Sequence, residues 1–347
     1  MESFIKQKAI EIGFDLVGIS PASQFSEHQA LKTWLHAWMH GTIEWFERGL
    51  EKRLDPLKVM PEAKSVIVCA KNYNSPLPYS TECKETGRGW ISRYAWGEDY
   101  HLKMEKMLHE LIRSLSKHFN VTGPAVCGVP ALPLMAGDPP GSTSDVTRFM
   151  EFRKKSDVQN VKWKIYVDTG PNMERVFAKH AGIGWVGKNT CLIHPKMGSF
   201  LFLGVILTDL YLKPDTPQTD HCGTCTRCID ACPTEAITEP YKLDARKCIS
   251  YLTIEHRGPI EPMLAERMGN HLYGCDICQD VCPWNRKSPR TEDPAFQPRD
   301  GCFNPHLETF QKKLEQEYPK GFTRSPLKRA KKEGLLRNIA MVMKNRI

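Results

Sequence analysis

The 347 residues are 41% apolar and 25% charged, enough to bury a substantial core in two or three domains and too apolar for a disordered chain. Net charge is +8, from 48 basic and 40 acidic residues, and there are 13 cysteines. The start, Met-Glu-Ser-Phe-Ile-Lys-Gln-Lys, has neither an apolar signal core nor twin arginines, and the longest apolar run, 200–207, is too short for a bilayer. A cytoplasmic, reducing setting is expected, with no membrane partner and with cysteines that serve metal.

In chain order, residues 2–13 place Phe4, Ile5, Ala9 and Ile10 at helical spacing, and Asp15-Leu-Val-Gly-Ile-Ser20 reads as a strand. Ser26 is the expected N-cap of a helix to Gly41, with Leu31, Trp34, Leu35 and Trp38 on one core-facing stripe. The loop Glu51-Lys-Arg53-Leu-Asp-Pro56 precedes an apolar strand at 65–70. Its arginine suits an anionic group on a cofactor or a helix carboxyl end. Arg93-Tyr94-Ala-Trp96-Gly97-Glu-Asp99-Tyr100-His101 is dense in aromatic and ionisable groups and leads into a helix over 99–118. Asp99-Tyr100-His101 begins like the D-x-H-x-x-G box that brings a lower histidine ligand to cobalt. Met104 stands where the glycine belongs, so no such ligation is read. Residues 121–161, rich in Gly, Pro, Ser and Thr, read as a surface excursion or lid.

Lys164-Ile-Tyr-Val167 is a strand ending on Asp168-Thr-Gly-Pro171, with Asn172 placed to cap a helix over 173–181. A carboxylate where strand gives way to helix suits a site as well as a plain turn. Gly182-Ile-Gly184-Trp-Val-Gly187-Lys188 looks like a dinucleotide fingerprint, yet it follows a helix and not a strand, so Gly182 reads as a helix-terminating glycine. Residues 190–194, a turn at 195–198 and residues 199–208 predict a β-hairpin. Beyond a proline-rich stretch at 288–305 lie a helix at 307–317 and an amphipathic C-terminal helix carrying Leu335, Leu336, Ile339, Ala340 and Val342. Residues 311–347 hold 11 basic and 3 acidic residues, an excess equal to that of the whole chain. Such a run suits a polyanion such as nucleic acid, or a solvated helix face.

The most specific signal is Cys222-Gly-Thr-Cys225-Thr-Arg-Cys228-Ile-Asp-Ala-Cys232-Pro233, the C-x2-C-x2-C-x3-C-P run of bacterial ferredoxins, in which the fourth cysteine serves the other cluster. Cys275-Asp-Ile-Cys278-Gln-Asp-Val-Cys282-Pro283 repeats the ending without the first cysteine, and Cys248 is available to replace it. By that logic Cys222, Cys225, Cys228 and Cys282 hold one 4Fe-4S cluster, and Cys232, Cys248, Cys275 and Cys278 hold the second. Paired zinc sites are the alternative, but zinc requires neither three successive x2 steps nor a proline after each run.

Taken with Glu51-Lys-Arg53, Ser92-Arg-Tyr-Ala-Trp-Gly97, Val167-Asp168-Thr-Gly-Pro, Ala181-Gly-Ile-Gly-Trp, Gly187-Lys-Asn-Thr-Cys191, Ser325-Pro-Leu-Lys-Arg-Ala-Lys and Arg337-Asn338, the cysteine runs resemble the epoxyqueuosine reductases. These are cobalamin-dependent enzymes of queuosine formation in tRNA. The stretch at 121–161 is longer than that family's usual connection, and the chain stops where many members continue into HEAT-like repeats. The resemblance implies an α+β protein. A nitroreductase-like α/β cobalamin-binding domain (1–212) is followed by a ferredoxin-like two-cluster domain (213–290) and a helical basic segment (291–347), the last a truncated HEAT-like start.

The resemblance further implies Asp168 as proton donor, its pKa raised by the apolar pocket. It places Arg53, Ser92, Leu192, Leu203, Ser250 and Asp276, with Asp168, near cobalamin. tRNA would meet His256, Arg257, Arg324, Lys328, Arg329, Lys331 and Lys332. A monomer fed by a low-potential electron donor is expected. The rival readings are a reductive dehalogenase, which is usually exported, and a ferredoxin-like carrier fused to an RNA-binding domain. Roughly 220 residues ahead of the first cluster cysteine exceed what a carrier needs.

Overall fold

The computed structural model describes residues 1–83, 85–118, 121–122, 149–154 and 161–345, with 121–122 and 149–154 described by backbone alone. Six strands, β1 (Leu16–Pro21), β2 (Ser65–Asn72), β3 (Val121–Thr122), β4 (Phe149–Lys154), β5 (Val161–Tyr166) and β6 (Leu201–Thr208), form one sheet in the order β1-β2-β6-β5-β4-β3. All its pairs are antiparallel. Ile67 and Cys69 point to one face, against α1 (Glu2–Ile12) and α2 (Tyr100–His118). Val66, Val68 and Ala70 point to the other, against Phe177 and Ala178 of α3 (Glu174–His180). Because both faces are covered, β2 and β6 read as nearly continuous apolar runs instead of alternating.

That two-sided burial also explains a correction. The expected hairpin of 190–194 with 199–208 does not form: β6 lies between β2 and β5, and Leu192–Ile193 pairs with Trp185–Val186. Only the turn survives, as a bridge between His194 and Gly198. Of the stretch at 121–161, β3, β4 and the start of β5 extend the sheet. The remainder, including any lid, lies outside the described residues. Ser26 begins its helix without capping it, and Phe25 holds the cap position. Gly182 does end α3, at φ +71, with Ile183 N–H donating to the Ala178 carbonyl. Gly18 has no room for a side chain, since a Cβ there would sit 2.0 Å from the Ala181 oxygen.

A second core draws on all three stretches that the sequence suggested as separate units. Trp90 and Trp96, Leu272 and Tyr273, and Phe310, Leu314, Leu335 and Ile339 of α5 (Leu307–Glu317) and α6 (Lys331–Lys344) pack together. A short parallel pairing of His271–Tyr273 with Trp90–Ile91 crosses the same boundary. Buried Asn338 clamps α6 in place, donating through Nδ2 to the carbonyls of Thr253 and Leu272 at 2.9 Å each. Arg337 beside it donates to the carbonyls of Leu252, His256 and Gly258.

Replacing Asn338 with Ala strands two buried carbonyls, so the variant is expected to lose about 1–3 kcal/mol of stability. Thermal unfolding of the cluster-loaded protein measures this; an unshifted midpoint would show that α6 is held by packing alone.

Candidate active site and cluster-binding cysteines

The sheet, the 45–53 segment, the loop after β5 and the cysteine region enclose a cavity of about 3690 Å³, several times the roughly 300–1,000 Å³ of an ordinary small-molecule site. Its floor carries Asp168. That residue sits at φ +56 in the turn after β5, where Thr169 N–H donates to the Val167 carbonyl. The turn folds back so tightly that a Cβ on Gly170 would lie 2.1 Å from the Tyr166 ring. Asp168 is 65% exposed and lines the cavity.

Two groups meet its carboxylate. Tyr100 donates its hydroxyl to Oδ2 at 2.9 Å, and His101 Nε2 lies 3.5 Å from the same oxygen, an ion-pair contact not aligned as a hydrogen bond. His101 Nδ1 is 2.7 Å from Asp99 Oδ1, and Asp99 Oδ2 is 3.5 Å from Lys328 Nζ. The raised pKa expected for Asp168 is therefore corrected. Burial does push its carboxyl up, but His101, Tyr100 and Arg175 outweigh burial and hold it below the ordinary value. For His101, burial pulls down while Asp168 and Asp99 pull harder the other way, to about 9. Sequence reading passed over His101 because it was weighed only as a cobalt ligand; the density of ionisable groups at 93–101 was the available signal.

The adjoining wall is short of partners among the described residues. Arg53, 6% exposed, donates Nη1 to the Gly170 carbonyl at 3.0 Å and lies 4.9 Å from the Trp45 ring, but its Nε has no partner. Asn172 is buried with both amide atoms unpaired, so it does not cap α3 as expected; Met173 precedes that helix without a side-chain cap. Glu174 Oε1 is unpaired too, and burial followed by the charge of Asp168 pushes its carboxyl up to about 8. Buried polar atoms without partners are rare in folded proteins, and here residues carrying both donors and acceptors line one cavity. They suit a large ligand fringed with amides.

Of the other residues expected near cobalamin, Leu203 and Ser250 line the cavity. Ser92, Leu192 and Asp276 are buried behind its wall. Asp276 accepts from Ser92 Oγ at 2.5 Å, Arg93 N–H at 2.8 Å and Trp90 Nε1 at 3.1 Å.

Among the tRNA candidates, Lys328 and Arg329 reach the cavity rim, and Arg324 and Lys331 are exposed. Arg257 donates to the carbonyls of Ile254, Arg329 and Ala330, Arg329 forks onto Glu255, Lys332 reaches the Glu315 carbonyl and His256 contacts the Pro259 carbonyl.

The cysteines ride on tight turns. Cys225 N–H donates to the Cys222 carbonyl, Cys228 lies in the helical turn Arg227–Asp230, Cys248 caps α4 (Ile249–Ile254), and Cys278 lies in Ile277–Asp280. Burial raises the Cys228 thiol, and Cys222 and Cys225 add to it; burial raises Cys282 to about 11, with Cys222 and Cys228 among its neighbours. Burial likewise raises Cys275 and Cys248, each with Cys232 nearby. Crowded thiols of this kind resist ionising together unless a cation binds them. Lys188, in the glycine-rich run that looked like a nucleotide loop, donates to the carbonyls of Gly223 and Cys225, and Asn189 donates to that of Cys278. That loop therefore braces both cysteine runs.

Glu174 yields a pH prediction. Its value in the folded chain lies above the ordinary 4.5, so the stability tied to its proton is complete below about pH 4.5 and is lost as pH rises through about 8. Glu174→Gln should gain on the parent in melting temperature across that window and level off above it. A difference independent of pH would remove the assignment.

Known proteins fit this geometry. A family model described as a 4Fe-4S double cluster binding domain matches residues 221–285, and one described as epoxyqueuosine reductase QueG, DUF1730, matches residues 53–127. The epoxyqueuosine reductase of Leadbetterella byssophila is 40% identical over 97% of either chain. That of Xanthomonas campestris pv. campestris is 36% identical over 98% of this chain and 86% of its own. A crystal structure of an epoxyqueuosine reductase with an epoxyqueuosine-modified tRNA-Tyr stem loop superposes with TM-score 0.80 at 29% identity, covering 99% of this chain and 81% of that one. With relatives this similar along nearly its whole length, the chain belongs to the epoxyqueuosine reductase family.

Proposed function

We propose that the chain reduces epoxyqueuosine to queuosine at the wobble position of a tRNA anticodon, using two 4Fe-4S clusters and a cobalamin held in the cavity. The observation that carries this reading is that one cavity touches Asp168, Cys248 and the cationic rim at Lys328. Proton source, electron entry and polyanion contact thus share a single chamber. The ferredoxin-type spacing supports two interlaced sets, Cys222, Cys225, Cys228 and Cys282 for one cluster and Cys232, Cys248, Cys275 and Cys278 for the other. The second set is the one beside the cavity, through Cys248.

Cobalamin fits the residues present, since its amide fringe offers partners to the unpaired atoms of Arg53, Asn172 and Glu174. When bound it supplies a metal centre that takes electrons singly and acts on carbon with a pair. Leu203 and Ser250 complete its walls, and Ser92, Leu192 and Asp276 support them from behind.

Deoxygenation converts the epoxide C–O–C to C=C and releases water, consuming two electrons and two protons. Asp168 delivers a proton to the departing oxygen at the cavity floor. The unpaired anticodon loop allows the modified base to be turned out of the stack and into the cavity. Arg324, Lys328 and Lys331 then face backbone phosphates, while Arg329, held on Glu255, and His256, Arg257 and Lys332 support that surface. Such a substrate places the enzyme in the cytoplasm with a low-potential electron donor; among the described residues no helix is long and apolar enough to cross a membrane.

The test is nucleoside mass spectrometry of modified tRNA after incubation with protein, cobalamin and a low-potential reductant. Queuosine should appear, and Asp168→Asn should lower its formation by at least about 100-fold with iron and sulfide contents unchanged. Failure of the parent to convert the nucleoside would sink the reading. Cys248→Ser should lower bound iron by about one cluster's worth, as seen in metal analysis, if its group holds a cluster of its own. Binding of the stem loop should weaken steeply with added salt, and a binding curve insensitive to salt would detach the cationic rim from the substrate.

A further inference from the structure

The reduction takes up two protons, and the cavity floor holds one carboxyl that is kept ionised. Asp168 carries at most one proton at a time, and His101, Tyr100 and Arg175 all favour its charged form. A second group must store the proton and pass it on. Only two side chains meet the Asp168 carboxylate in the described residues, Tyr100 and His101.

Tyr100 is a poor store. Burial and the neighbouring Asp168 raise its phenol well above the ordinary value, so it donates a hydrogen bond without releasing the proton. Its ring is stacked on Phe202 at 4.2 Å and on His101 at 4.1 Å, which fixes the imidazole in place. The His101 Nδ1 faces Asp99 at 2.7 Å, and Asp99 is itself buried, with its backbone N–H on the Arg324 carbonyl and its other oxygen toward Lys328. A carboxylate accepting from Nδ1 leaves Nε2 as the mobile end of the ring, and that end points at Asp168.

We propose that His101 is the proton reserve of the site: its imidazolium loads Asp168 through Nε2 before each of the two proton deliveries, with Asp99 as the positioning residue that orients the ring. The proposal rests on the reduction described above and extends it. In the first step the Nε2 proton of His101 passes to the Asp168 carboxylate, one carbon–oxygen bond opens, the oxygen takes that proton from Asp168, and His101 draws a fresh proton from solvent. The Nε2 proton then crosses 3.5 Å to the emptied carboxylate. In the second step the remaining carbon–oxygen bond breaks, the oxygen takes that proton and leaves as water, and the carbon–carbon double bond forms. The two electrons come from a low-potential one-electron donor by way of the clusters, so atoms and charge balance. His101 regains its proton from solvent.

The titratable and charged groups facing His101 are Asp99 and the neutral phenol of Tyr100 at the start of α2, Asp168 from the loop after β5, and Lys328 from the 326–330 turn by way of Asp99. Arg175 and Arg329 act on it through Asp168. With its value near 9, the imidazole is charged throughout the neutral range.

His101→Gln keeps a polar side chain and removes the store. Assayed with cluster- and cobalamin-loaded protein and epoxyqueuosine stem loop, it should lower kcat by about 100-fold while KM changes little. The parent rate should hold through neutrality and fall as pH rises through about 9, and that upper limb should be missing from the variant. A variant with parental kcat and the same upper limb would overturn the proposal, as would loss of that limb in Glu174→Gln in place of His101→Gln.

A second readout needs neither cobalamin nor substrate. His101 has a folded value above the ordinary 6.5, so its stabilising contribution is complete below about pH 6.5 and disappears as pH rises through about 9. The melting-temperature advantage of the cluster-loaded parent over His101→Gln should shrink across that window, and should be reduced when both carry Asp168→Asn. A constant advantage would overturn the proposal even if the parent proved to act on another substrate. Failure of the parent to make queuosine, with the pH-dependent advantage intact, would count against the substrate and not against the ion pair.

Discussion

The position of the clusters relative to the cavity depends on one buried carboxylate. Asp276 stands between Cys275 and Cys278 and accepts from the hydroxyl of Ser92, the indole of Trp90 and the backbone N–H of Arg93, all in the segment that also walls the second core. Removing it strands three buried donors, each costing about 1–3 kcal/mol, and frees a loop that carries two thiolates. Arg93 extends the joint. Its guanidinium donates to the carbonyls of Ser75, Leu77 and Pro78 and lies 4.6 Å from the Trp96 ring, so the strap that grips the cysteine loop is itself anchored. A rigid polar joint of this kind fixes the cysteine loop against the Trp90–Arg93 segment where a flexible linker would not.

The cavity separates its ionisable groups by environment. Asp168 meets one hydrogen-bond donor, Tyr100, and one cation, His101, and stays charged; Glu174, buried without a partner for Oε1 among the described residues, keeps its proton toward neutrality. Each assignment reinforces the other, because the charge on Asp168 is among the causes that raise Glu174. The result is a carboxyl that keeps its proton close to a carboxylate that stays charged, both lining one cavity.

How much of this was legible in the sequence follows from which forces act locally. Ligand spacing in the cysteine runs is a property of covalent distance along the chain, and both runs can be read from composition and order alone. Gly182 was legible for the same reason, since a helix end needs a left-handed residue at that spot. The hairpin at 190–208 failed because apolar runs do not say which neighbours they pair with, and β6 was claimed by β2 and β5. Asn172 failed because its amide faces a cavity whose occupant is not written in the local pattern. The charge state of Asp168 depends on Tyr100 and His101, 68 and 67 positions away, and no window of sequence brings them together.

The basic C-terminal run shows where counting charge overstates a partner. Its excess equals that of the whole chain, which suggests a broad phosphate-binding stripe. Part of that charge is spent inside the molecule instead: Arg337 holds the carbonyls of Leu252, His256 and Gly258, and Arg329 is forked onto Glu255, while Arg257, outside the run, holds the carbonyls of Arg329 and Ala330. Guanidinium suits this strut role because its rigid planar donors satisfy several carbonyls at once. Arg324, Lys328 and Lys331 remain exposed, so the free positive surface is narrower than the sequence suggests. A narrow rim beside a deep cavity favours a splayed single-stranded loop over a duplex lying flat, because a few phosphates can be held while one base goes inward.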